Sequence, residues 1–135
     1  MDRVSIAAEA EVNPTEDPEK VKHAIQNIIL NPTFEQISVE SESLLVARVE
    51  GREGLTKLYN LLRQERILDA ARRVMFRGVG DNRITFYLNK QVAYVGHISF
   101  CQPEAESPLG PIKIVITCDD PEALIEWLAP RTIRR

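Results

Sequence analysis

The feature that most constrains this chain is a strict alternation near its amino end. From Val4 to Val12, the residues Val4, Ile6, Ala8, Ala10 and Val12 point one way while Ser5, Ala7, Glu9 and Glu11 point the other. A period of two gives a strand with one apolar and one polar side, so the strand is half-buried. Arg83 to Asn89 repeats the pattern, with Ile84, Phe86 and Leu88 opposed to Arg83, Thr85, Tyr87 and Asn89. Ile112, Ile114 and Ile116 mark a last strand.

Between these stretches the apolar period changes to that of a helix. Asn13-Pro14 stops the first strand, and Thr15 or Asp17 is placed to cap a helix beginning at Pro18. Val21, Ala24, Ile25, Ile28 and Ile29 form its buried face, and Asn31-Pro32 ends it. Residues 34–39 and 44–49 read as two strands around a polar turn at Glu40–Ser43. Leu55, Leu58, Tyr59 and Leu62 mark a second helix, and Ile67, Ala70, Ala71 and Val74 a third, continuous with it or kinked near residues 65–67. Gly78 and Gly80 close the third in a flexible turn. Residues 92–100 read as a strand paired with 83–89 across a short loop holding Lys90 and Gln91. A polar, proline-rich loop follows at 102–111, and Asp119-Asp120-Pro121 caps a final helix packed through Leu124, Ile125 and Leu128. The hairpin-like pairing of strands favours one α+β domain over residues 1–135, with a single antiparallel or mixed sheet and helices on one face, ending in a basic tail at 130–135.

The sequence carries −3 overall, but unevenly. Residues 1–51 hold four Lys/Arg against ten Asp/Glu, and residues 52–90 hold nine against four. Local charge sets where an anionic partner docks, so the basic middle third is the candidate surface. Within it, Arg63, Arg66, Arg73 and Arg77 share one helical stripe if the second and third helices run unbroken. Guanidiniums in a row suit phosphates, because each is a planar fork of donors that stays charged. The alternative is a solvated face with Glu65 and Asp69 as ion-pair partners. The stretch Arg83, Tyr87, Asn89, Lys90, Gln91 and Tyr94 adds cations, amides and rings, the mixture with which RNA-binding sheets hold phosphates, read edges and stack bases.

No signature of catalysis or metal binding accompanies these residues. Cys101 and Cys118 have no zinc spacing and read as reduced core residues. His23 and His97 stand alone, His97 as a strand residue, and Glu104 and Glu106 read as solvated loop carboxylates. Gly78-Val79-Gly80 lacks the ending of a phosphate loop. No catalytic residue, metal ligand or cofactor is assigned. The start of the chain does not resemble a signal peptide and no apolar run is long enough to span a membrane, so a cytoplasmic protein without membrane contact is expected.

Five blocks carry a resemblance: PTEDPEKVKHAIQNI (14–28), RQERILDAARRVM (63–75), FYLNKQVAYVGHISF (86–100), ESPLGPI (106–112) and DDPEALIEWLAPRT (119–132). In that order they resemble an archaeal family of conserved proteins described as RNA binding. The resemblance implies a fold similar to that of the large-subunit ribosomal protein that holds the 5S rRNA, and it brings no catalytic residues. It implies a protein that binds RNA, and with the charge pattern above the expectation is a non-catalytic protein docking structured RNA, ribosomal or other, through the central basic helix and adjacent strand and loop. Arg63, Arg66, Arg72, Arg73, Arg77, Arg83 and Lys90 would hold phosphates, Asn89 and Gln91 would contact a base or sugar, and Tyr87 would stack. The competing reading is an assembly subunit, as a homodimer or within a complex, whose arginine stripe meets an acidic protein surface.

Overall fold

The computed structural model describes residues 3–103 and 109–132. Strand β1 (Val4–Glu11) lies between β3 (Glu42–Glu50) and β7 (Pro111–Cys118), antiparallel to both. The sheet order is β2-β3-β1-β7-β5-β4, with β2 Thr33–Val39, β4 Val79–Gly80, β5 Arg83–Asn89, and β6 Phe100–Cys101 also paired to β5. Every described pairing is antiparallel. The helices are α1 (Pro18–Gln26), α2 (Thr56–Gln64), α3 (Leu68–Arg77), α4 (Lys90–Tyr94) and α5 (Pro121–Leu128), with a 3-10 turn at Arg52–Leu55. This is the expected α+β architecture.

The alternation seen in the sequence sorts the two faces. Ile6, Ala8 and Ala10 of β1 lie in register with Ala47 and Leu45 of β3 and with Ile116, Ile114 and Ile112 of β7. These join Ile84, Phe86 and Leu88 and the apolar faces of α1, α2, α3 and α5 in one buried cluster. Sheet burial on this scale dominates the folding free energy. The opposite face carries Ser5, Ala7, Glu9, Arg48, Lys113, Val115, Thr85 and Tyr87, all half-buried or exposed. No described helix is long and apolar enough to cross a membrane.

Local chemistry accounts for several boundaries. Asp17 caps α1 by accepting from the Glu19 N–H, and Asp120 caps α5 by accepting from Ala123. Helix α1 stops at Gln26, before the expected Asn31-Pro32, although Ile28 and Ile29 remain buried beyond it. The β2–β3 turn is tighter than expected, because Val39 pairs with Glu42 and only Glu40 and Ser41 lie between. Asp81 and Asn82, at φ 53° and 61°, make the two-residue turn between β4 and β5. Cys101 and Cys118 are thiols, the second buried.

Helices α2 and α3 are separate, breaking within residues 65–67 as one of the two expected alternatives had it, because Arg66 takes a left-handed conformation at φ 57° and the Ile67 N–H turns back to the Leu62 carbonyl. Two expectations are corrected. Residues 92–100 do not form the predicted strand. Asn89 accepts from the Val92 N–H and starts α4 instead, while the Asn27 side-chain amide donates to the Ala93 and Tyr94 carbonyls at 2.9 and 3.1 Å. These caps outweigh the strand propensity of Val92 and Tyr94, and only Phe100–Cys101 pairs with β5. Gly78 is not a flexible turn: a Cβ there would meet the Thr85 carbonyl oxygen at 1.9 Å, so glycine lets the end of α3 abut β5. Glu104, Glu106, Arg134 and Arg135 lie outside the described residues.

Candidate nucleic-acid interface

The predicted arginines separate into two sets. Arg63 and Arg72 turn toward α5. Arg63 donates to the Leu128 and Trp127 carbonyls at 3.1 and 3.3 Å and to Tyr59 at 3.0 Å, with its guanidinium 3.4 Å from the centre of the Tyr59 ring. Arg72 donates to the Ala129 carbonyl and pairs with Glu126, lying over Phe76. The last carbonyls of a helix lack intrahelical donors, and these two cations supply them. The bond from Arg72 holds the Glu126 carboxyl below its ordinary value and raises that of Arg72 itself.

The side chains of Arg66, Arg73, Arg77 and Arg83 are exposed and make no hydrogen bond or ion pair with a described residue. Arg73 and Arg77 stand one turn apart on α3, opposite its buried Ala71 and Met75. The carboxylates expected to neutralise this face are engaged elsewhere. Glu65 accepts from His97 Nδ1 at 2.9 Å and from the Ile98 N–H at 3.2 Å. His97, expected in a strand, therefore lies on the turn after α4. Asp69 accepts from the Thr132 hydroxyl and N–H, bonds that hold its carboxyl below the ordinary range, with Arg73 and Arg72 adding smaller attractions.

The second predicted group also divides. Arg83 and Asn89 sit at opposite ends of β5, about 20 Å apart at ~3.3 Å per residue. Lys90, expected to contact phosphate, is 4% exposed. Its ammonium donates to the Glu11 and Leu109 carbonyls, both at 2.7 Å, and to Glu16 at 3.0 Å. All its donors are thus used inside the protein. Burial alone would raise the Glu16 carboxyl, but bonds from the Asn13 backbone, Lys90 and the Asn13 side chain bring it below its ordinary 4.5. Asn89 is occupied as the α4 cap, and Gln91 is exposed beside that ion pair, away from the arginines. Tyr87 is half-buried on the helix-free side of the sheet, and Tyr94 is exposed on α4 with its ring 5.3 Å from that of His23.

The helix-free side of the sheet is electrically polarised along its width. Glu9, Glu11, Glu35, Glu42 and Glu50 lie on β1, β2 and β3, where Arg48 is committed to Glu35 at 3.2 Å. Across β7 and β5 the charges are Lys113 and Arg83, and Arg77 and Arg73 continue the basic end onto α3. A polyanion meets repulsion at one end and attraction at the other. Among the described residues no cluster of His, Cys, Asp or Glu is arranged to hold a metal ion.

The sequence signal that was missed lies next to Arg77. A cleft of about 480 Å³ opens between the end of α3 and β5, bounded by Val74, Arg77, Tyr87, Phe100, Cys101 and Gln102. It exists because β4 and β6 are two residues each and leave part of the β5 edge between them uncovered. Strands that short have no alternation to detect.

Known proteins share this chain and this fold. A family model described as RNA binding matches residues 5–118. A UPF0201 protein of Sulfurisphaera tokodaii is 48% identical over 132 residues, covering 96% of this chain and 89% of the relative. One from Thermococcus kodakarensis is 44% identical over 127 residues, covering 94% and 90%. The crystal structure of a UPF0201 protein from Methanococcus jannaschii superposes with a TM-score of 0.84 at 37% identity, covering 96% of this chain and 95% of that one. A DUF54 protein from Sulfolobus solfataricus, 13% identical with a TM-score of 0.72 and coverage of 96% and 99%, shares the fold. The chain belongs to the archaeal UPF0201 family, whose sequence model is described as RNA binding.

Proposed function

We propose that this protein binds structured RNA without catalysing a reaction, through the exposed face of α3 and the start of β5. The observation that carries this reading is the set of four exposed arginines, Arg66, Arg73, Arg77 and Arg83, none of them paired with a described residue. Of the nearby carboxylates, Glu65 is bonded to His97 and Ile98, and Asp69 is bonded to Thr132 and attracts Arg73 only at longer range. Phosphates complete the arginine forks, two oxygens to each guanidinium. The acidic β2–β3–β1 end orients the RNA by repelling it. Family membership supports the same reading.

Lys90, Arg63, Arg72 and Asn89 have structural duties in this account, and the phosphate contacts fall to the four exposed arginines. A fluorescence-anisotropy titration of a labelled RNA hairpin tests it. Charge reversal in Arg73→Glu/Arg77→Glu is expected to weaken binding more than ~10-fold, since each phosphate contact contributes to a counterion-release term. The thermal midpoint should stay near that of the parent, because surface changes of this kind move stability by only about 0.5 kcal/mol. Parent-like affinity in the double variant would place RNA elsewhere on the protein.

A further inference from the structure

We infer that the cleft between α3 and the β5 edge receives one unpaired nucleotide of the bound RNA, an inference that rests on the RNA-binding reading and specifies what that surface selects. The lining combines the groups such a nucleotide needs. Arg77 stands at one wall with its guanidinium unpaired among the described residues. Phe100 forms the inner wall and is held edge-on to buried Phe86, ring centres 5.8 Å apart at 64°. Tyr87 and Gln102 complete the rim. Among the described residues no carboxylate lines the cleft.

Size and shape agree with this occupant. The volume of about 480 Å³ falls in the ~300–1,000 Å³ range of clefts that enclose small organic groups. A paired helix presents phosphates and groove edges and cannot insert a base into a recess. A bulged or looped nucleotide can, because its face is free to stack on an aromatic ring while a cation holds the phosphate. The close approach of Gly78 to Thr85 and the bond from the Thr85 N–H to the Gly78 carbonyl fix the end of α3 against β5, so the backbone that carries Arg77 is in place before any ligand arrives. Arg73 and Arg83 flank it to hold the strand on either side.

Two hairpins of equal length, one fully paired and one with a single bulged adenosine, separate this inference from the reading beneath it. Anisotropy titrations at low salt should give at least ~5-fold tighter binding to the bulged hairpin, the lower end of ~1–3 kcal/mol for one stacked base. That ratio should fall in Tyr87→Leu, which removes one of the two rings lining the cleft, and fall to about one in Gln102→Trp, which obstructs it from an exposed position. The second variant keeps the test decisive if the first is unstable. Equal, salt-sensitive binding of both hairpins would overturn the cleft assignment and leave RNA binding intact. Failure to bind either hairpin would overturn both. A bulge preference that survives in the folded variants would place the unpaired base outside the cleft.

Discussion

The nine cations of residues 52–90 behave as two populations. Five face inward onto protein groups: Arg52 over Trp127, Lys57 on the Gln26 carbonyl, Arg63 and Arg72 on the end of α5, and Lys90 on Glu16 and two carbonyls. Four face outward, Arg66, Arg73, Arg77 and Arg83. Arginine occurs in both populations, and Arg72 and Arg73 are adjacent in sequence. The difference lies in what the carbonyls and carboxylates of distant segments require. A basic block in a sequence is therefore a mixture of internal fastenings and docking charge, and only the second part is available to an anionic partner.

Lys90 offers the largest contrast. Lys90→Met leaves the Glu16 carboxylate and two partly buried carbonyls without their cation, and breaking a buried pair in this way typically costs about 3 kcal/mol or more. Urea denaturation should show the loss as a lower midpoint with an unchanged slope; a parent-like midpoint would remove Lys90 from the inward set. Arg63→Ala should cost about 2 kcal/mol by the same measurement, because it strips donors from half-buried carbonyls of α2 and α5. Arg77→Ala, the outward counterpart, should stay within ~0.5 kcal/mol.

The outward set gives the reverse pattern in binding. Arg73→Gln/Arg77→Gln should flatten the dependence of log affinity on log salt by about 1.5, roughly half of the whole slope, with little change in stability. Equal slopes in parent and variant would show that these two side chains do not meet phosphate.

The smallest effect concerns acid. Glu16 is depressed in the folded protein, so it contributes stability that is present above its unfolded value of 4.5 and is lost as pH falls through the lower folded value. Glu16→Gln should therefore flatten the decline of stability below pH 4.5, measured by urea midpoints across that window. An unchanged acid profile would show that the Lys90–Glu16 contact does not couple to proton binding.

The fold was largely legible because its strands are half-buried. Val4 to Val12, Arg83 to Asn89 and Ile112 to Ile116 announce both their conformation and their buried side, and the observed registers place those residues together. Capping at Asp17 and Asp120 was legible for a similar reason, since the acceptor and its N–H are two or three residues apart. Residues 92–100 misled because Val92 and Tyr94 favour strands locally. The Asn89 cap was a nearby sign, but the amide of Asn27 that fastens the end of α4 comes from far along the chain.

The candidate site was less legible. The stripe of Arg63, Arg66, Arg73 and Arg77 assumed a continuous helix, and one left-handed residue, Arg66, ends that geometry. The fate of Lys90 depends on Glu11, Glu16 and Leu109, which no local pattern connects to it. Arg73 and Arg77 remain together because their spacing of four lies within a single helix. Local periodicity survives folding; partnerships across the fold must be seen.

The central claim is that four outward arginines form a phosphate-binding surface. The most direct measurement is a titration of the purified protein against total cellular RNA and an rRNA fragment at ~50 and ~200 mM salt. Binding at the lower salt that weakens steeply is expected, with a log–log slope of roughly −3 for four phosphate contacts of this kind. Absence of binding at the lower salt, or binding indifferent to salt, would contradict it.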